Sequence, residues 1–114
     1  MLIERLSSFR ETVNGNHQVK KLLAGWEPNI IIETSDTAES YSLLIRDKAV
    51  AGVLEGKQEQ KHQIVVEGDE DILDQVFSGS LNPAEAVLDG QIAVYGNDKD
   101  QLKLDALCLV IWGM

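Results

Sequence analysis

The sequence predicts an α/β chain of the α+β type, in which a mainly antiparallel five-stranded sheet is covered on one face by helices. Three observations support this. Apolar residues recur at helical spacing up to Gly25, the period drops to two between Trp26 and Gly68, and a helix–helix–strand–helix pattern closes the chain. At 114 residues, a single domain spanning 1–114 with one core is expected.

The first helix is predicted by Leu2, Leu6, Phe9 and Val13, with Ile3 widening the stripe and Glu4, Arg5, Ser8 and Glu11 on other faces. Asn14, Gly15 and Asn16 interrupt it, and Val19, Leu22 and Leu23 form a short second helix. "NIIIETS", "SYSLLIR" and "KAVAGVL" follow as a meander, the last two joined by a tight link at Asp47 and Lys48. The polar loop "EGKQEQK" leads to a fourth strand, "HQIVVEG".

Along "SYSLLIR", Tyr41, Leu43 and Ile45 point one way and Ser42, Leu44 and Arg46 the other, so one sheet face is the more apolar, as when helices cover one side. Gly52 marks a bulge or a close approach. In "DEDILDQVFSG" a helix starts in acidic residues, buries Ile72, Leu73, Val76 and Phe77, and stops at Gly79.

Next, Asn82 is placed to cap a helix with Pro83 at its first position and Glu85 at its third, ending near Asp89. Gly90 supplies a left-handed exit into the strand "QIAVYG", with Ile92 and Val94 on one face and Ala93 and Tyr95 on the other. Asn97 or Asp98 caps the last helix. Its Leu102, Ala106, Leu109 and Val110 share a face, while Leu104, Leu107, Ile111 and Trp112 spread apolar surface onto others. Such a helix must cover a cavity, enter the core on most sides, or meet another subunit.

Charge and composition exclude several functions. Ten basic residues against nineteen acidic ones give a net charge of -9, which opposes binding to nucleic-acid phosphates and docking on anionic membranes. The longest apolar run, Ala106 to Trp112, falls far short of the roughly 20 residues of a membrane span, and the start "MLIERL" is unlike a signal peptide. A cytoplasmic protein without stable membrane insertion is expected.

No catalytic constellation stands out, and the chain is expected not to be an enzyme. Cys108, the sole thiol, sits in "LCLVIW", where apolar surroundings disfavour the thiolate. His17 and His62 lie in polar stretches without metal-ligand spacing and are expected to be solvated. Ser78 and Ser80 flank Gly79 as turn residues, and Asp69 and Asp71 lack the Gly and distal Glu of a calcium loop. Neither metal nor cofactor is expected.

"GSLNPAEAVLDGQIAVYG" resembles the signature of the sterol carrier protein type-two (SCP-like) domain family. Gly79, Leu81, Pro83, Ala86, Gly90, Ile92, Val94 and Gly96 match its pattern, and the order of elements is similar over essentially the whole chain. The resemblance implies an apolar tunnel between sheet and helices and non-catalytic lipid binding, with a fatty acid, fatty acyl or sterol-like ligand as partner. The ending "IWGM" differs from a Ser-Lys-Leu-like peroxisomal address.

On that basis Phe77, Val87, Ile92, Val94, Leu102, Ala106, Leu109, Val110 and Trp112 are expected to line the tunnel, since they join the motif strand to apolar faces of the later helices. Each taken singly also suits plain core packing; the expectation concerns their combined surface. The alternative is a ligand-free homodimeric module that uses the apolar last helix as its interface.

Overall fold

The structure is a computed structural model that describes residues 2–113. Helix α1 (Leu2–Asn14) buries Leu2, Leu6, Phe9 and Val13, the stripe its spacing requires. Helix α2 (His17–Leu23) starts where the Asn16 side chain accepts from the Gln18 N–H. Strands β1 (Asn29–Thr34), β2 (Ser40–Arg46) and β3 (Ala49–Glu55) form the meander, and β4 (Gln63–Gly68) follows a loop. Helices α3 (Glu70–Ser78) and α4 (Pro83–Leu88) lead to β5 (Ile92–Tyr95) and the terminal helix α5 (Asp98–Trp112).

The sheet order is β3-β2-β1-β4-β5. Three neighbouring pairs are antiparallel, but β1 and β4 run parallel, with Ile30 beside Ile64 and Ile32 beside Val66, so the sheet is mixed. Period-two patterning sets which side chains face inward and is silent about strand partners. Parallel neighbours need a crossover between them. The loop between β3 and β4 supplies it.

That loop also changes the picture of the sheet's second face. Gln58 N–H donates to Ser42 Oγ at 2.8 Å, Asn29 Nδ2 donates to the Gln58 carbonyl at 2.7 Å, and Arg46 Nη2 donates to Gln60 Oε1 at 3.0 Å. Lys57 pairs with Glu33. A polar strap thus crosses the side away from the helices, and Ser42 and Ile31 beneath it are fully buried. Around Ile31 and Ser42 the second face is covered by hydrogen-bonded backbone, while Tyr95 of β5 on the same face is 56% exposed.

On the helical face Ile30, Ile32, Tyr41, Leu43, Ile45, Ile64 and Val66 meet the buried side of α1 and Leu73 and Val76 of α3. Asp47 and Lys48 both take positive φ, 54° and 64°, the two-residue hairpin geometry that matches strand twist. The pairing shifts between Leu44 and Ile45, leaving Ala51 as a bulge next to Gly52. Arg10 of α1 donates to the Val50 and Ala51 carbonyls at 3.0 and 3.1 Å, tying helix to bulge.

Candidate functional site

Helix α4 shapes the site because it is short and docks through a small residue. Asn82 Oδ1 accepts from the Ala84 N–H at 2.9 Å and Pro83 opens the helix. Its single buried residue is Ala86, whose carbonyl accepts from Gln91 N–H at 2.8 Å as the chain turns through Gly90 (φ +73°) into β5. A methyl group at the contact fills little space. Val87 and Leu88 lie at the rim, 45% and 86% exposed.

Between this helix, α5 and the sheet lies a cavity of about 380 Å³. Its floor is Ile30, Val66, Ile92 and Val94, and its far wall is Phe9, Val76, Phe77 and Trp112. Phe9 meets Phe77 edge to face at 5.1 Å between centroids, and the Trp112 ring lies 5.7 Å from Phe9, so the wall is aromatic and closely packed. Pro83, Ala84, Val87 and Leu88 of α4 face Gln101, Leu104, Asp105, Leu107 and Cys108 of α5. The volume falls within the range of small-molecule sites, and the lining is predominantly apolar.

Five of the residues singled out in the sequence come together here: Phe77, Val87, Ile92, Val94 and Trp112. The other four lie elsewhere. Helix α5 buries Leu107 and turns Leu102 and Leu109 outward, 67% and 58% exposed. Leu109 and Ala106 border an outer groove with Asn82 and Pro83, Leu102 and Ala106 border a groove against α2, and Val110 packs half-buried on the core. The cavity side of α5 is the stripe Gln101, Leu104, Asp105, Cys108 and Trp112, spaced for one helix face. Gln101 and Asp105 are polar, so an apolar pattern could not select them. Phe9, Ile30 and Val66 carry no signal that separates a cavity wall from ordinary core.

The other motif residues are structural. Gly79 ends α3 at φ +82°, and its N–H and those of Ser80 and Leu81 reach back to Val76 and Gln75 carbonyls. Leu81 packs on the core, and a Cβ added to Gly96 would stand in ordinary contact with Ile64. Ser78 Oγ bonds to the Gln75 carbonyl and to Ser80 Oγ, as turn residues do. The first free N–H of α3 is met by Asp36, which accepts from Glu70 N–H at 3.0 Å.

His62 is solvated as expected but has a partner that the sequence did not point to. Although its side chain is exposed, Nε2 lies 3.0 and 3.1 Å from the two oxygens of Asp100, a carboxylate only 4% exposed. Trp26 Nε1–H donates to the same carboxylate at 2.7 Å. Burial pushes the Asp100 carboxyl up, but the hydrogen bonds from His62 and Trp26 and the His62 charge outweigh it and hold the group below its ordinary value. This cluster pins the start of α5 to the strand entry at Trp26 and to the crossover loop. It lies in the groove against α2, apart from the cavity.

Cys108 is half-buried in the cavity wall, and its thiol is pushed up to about 12, first by burial and then by the Asp105 charge. A thiol so placed carries almost no thiolate at neutral pH. Among the described residues no three His, Cys, Asp or Glu side chains gather as metal ligands, and no helix is long and apolar enough to cross a membrane.

No protein-family model and no curated protein matches the sequence. Solved structures do match. The sterol carrier protein domain 2 of Helicoverpa armigera is similar over 97% of this chain and 87% of its own, with a TM-score of 0.73 and 16% identity. A sterol carrier protein 2 crystal structure aligns over 96% and 94%, with a TM-score of 0.68 and 16% identity. The stereoselective inverting sec-alkylsulfatase Pisa1 from Pseudomonas sp. aligns at TM-score 0.64 and 18% identity over 81% of this chain, which spans only 14% of that enzyme's length. At these identities the likeness lies in the fold, and it extends along nearly the whole chain in the two carrier proteins. The chain has the sterol carrier protein 2 fold.

Proposed function

We propose that this protein is a lipid-binding domain, which holds an alkyl or sterol-like ligand in the cavity under α4 and α5 without changing it chemically. The observation that carries this reading is the cavity itself: about 380 Å³ of space lined mostly by hydrocarbon and aromatic groups, with Gln101, Asp105 and Cys108 on its α5 side, in a fold shared with sterol carrier proteins. Nothing along its wall has the character of a nucleophile paired with a base. Cys108, the one thiol, is held in its unreactive form.

The energetics suit reversible binding. A 16-carbon chain offers roughly 12 kcal/mol at about 0.8 kcal/mol per buried methylene. Association and ligand ordering consume at least about 4 kcal/mol of that, which leaves affinity near the micromolar range.

Native mass spectrometry of gently purified protein, followed by organic extraction, tests the reading. A co-purifying lipid at near-stoichiometric occupancy is expected. Protein that emerges ligand-free, and remains so after incubation with both a fatty acid and its matched long-chain alcohol, overturns it.

A further inference from the structure

The wall of the cavity holds carboxylate and no cation. Asp105 and Gln101 are its polar side chains besides the Cys108 thiol, and among the described residues no lysine or arginine lines it. The reason lies partly in the sequence: residues 62–98, which build β4, α3, α4 and β5, contain neither lysine nor arginine. Cations on the remaining helices are directed elsewhere. Arg5 is held by Asp74 at 2.9 Å and Arg10 by the β3 carbonyls. Lys103 reaches the Leu22 carbonyl at 2.7 Å, and with Lys99 it borders the groove against α2, away from the cavity stripe of α5.

An ionised head group at this mouth loses water and finds no counter-charge to replace it, while Asp105 repels it. Burial is the main cause of the upward displacement of the Cys108 thiol, and the Asp105 charge adds to it one turn along the same wall. A hydroxyl head meets the opposite situation, since it donates to a carboxylate and forms a charge-assisted hydrogen bond.

Resting on the lipid-binding reading above, we infer that the cavity selects single-chain lipids with an uncharged, hydroxyl-bearing head over fatty acids and other anionic lipids, and that Asp105 is the residue that discriminates. The discrimination comes from the head group, because the apolar walls treat equal chains alike.

The experiment compares dodecan-1-ol with dodecanoate on the full chain at about pH 8, both as monomers, with tryptophan fluorescence and native mass spectrometry as readouts. Dodecan-1-ol is expected to bind at least about tenfold more tightly. Since an alcohol also leaves water more readily, the deciding comparison is Asp105→Lys at this exposed position, where dodecanoate should gain about tenfold or more. Dodecanoate binding as well as the alcohol, or a dodecanoate affinity unmoved by Asp105→Lys, overturns the inference and leaves lipid binding standing. Failure of both ligands to bind the wild-type protein overturns the lipid-binding reading and the inference with it.

Discussion

A Cβ placed on Gly79 would stand 2.7 Å from Cδ1 of the Trp112 indole, inside the distance that packed carbon atoms tolerate. The end of α3 and the end of α5 are therefore fitted together at the aromatic wall of the cavity. Gly90 also takes positive φ, at +73°, yet nothing lies within 4 Å of where its Cβ would be. Gly79→Ala is expected to cost about 2–5 kcal/mol, the left-handed penalty plus overpacking, and Gly90→Ala only about 1–2 kcal/mol. Urea denaturation of the two variants separates the contributions, and equal losses would show that the indole yields freely.

Asp100 makes stability depend on pH in a defined window. Its carboxyl is held below the ordinary value of 3.8, so its contribution is fully present above that value and is lost as pH falls through the lower, folded value. Asp100→Ala leaves the Trp26 indole N–H without its carboxylate and should destabilise by about 1–3 kcal/mol near neutral pH. The gap between wild type and variant should narrow as pH falls below 3.8 and through the lower, folded value. Urea midpoints measured across that range check it, and a constant gap would mean that the carboxylate charge contributes nothing.

Leu107 and Leu109 lie two residues apart on α5 with opposite exposure, 0% and 58%. Leu107→Ala should cost about 2–5 kcal/mol, whereas Leu109→Ala should stay within about 0.5 kcal/mol. Thermal unfolding distinguishes them. A large loss at Leu109 would indicate that its exposed side is buried in an assembly.

Cys108 reports on the cavity without mutation. With its thiol pushed up to about 12, alkylation by iodoacetamide at about pH 8 should run orders of magnitude slower than in the unfolded chain. A bound lipid should slow it further, since Cys108 lines the cavity. Mass spectrometry of timed quenches measures both rates, and rapid alkylation of the folded protein would show that the wall opens freely.

Much of the local structure was legible because its causes are local. Asn82, Pro83 and Gly90 bracket α4 through capping and φ preference, Gly79 ends α3, and the alternation in "SYSLLIR" places Tyr41, Leu43 and Ile45 inward, all without distant partners. The motif residues from Gly79 to Gly96 likewise carried the resemblance to the fold that the solved structures share.

What only the tertiary structure decided depends on residues far apart in the chain. The parallel pairing of β1 with β4 goes with a strap in which Lys57, Gln58 and Gln60 find partners on Glu33, Asn29 and Arg46, and strand periodicity is blind to partner choice. Asp100 is buried because Trp26 and His62, 74 and 38 residues away, close over it. The rotation of α5, which turns Asp105 and Cys108 toward the cavity and Leu102 and Leu109 outward, follows from packing against the sheet and α4. A helix apolar on several sides does not specify its own inward face, so the core it meets must choose.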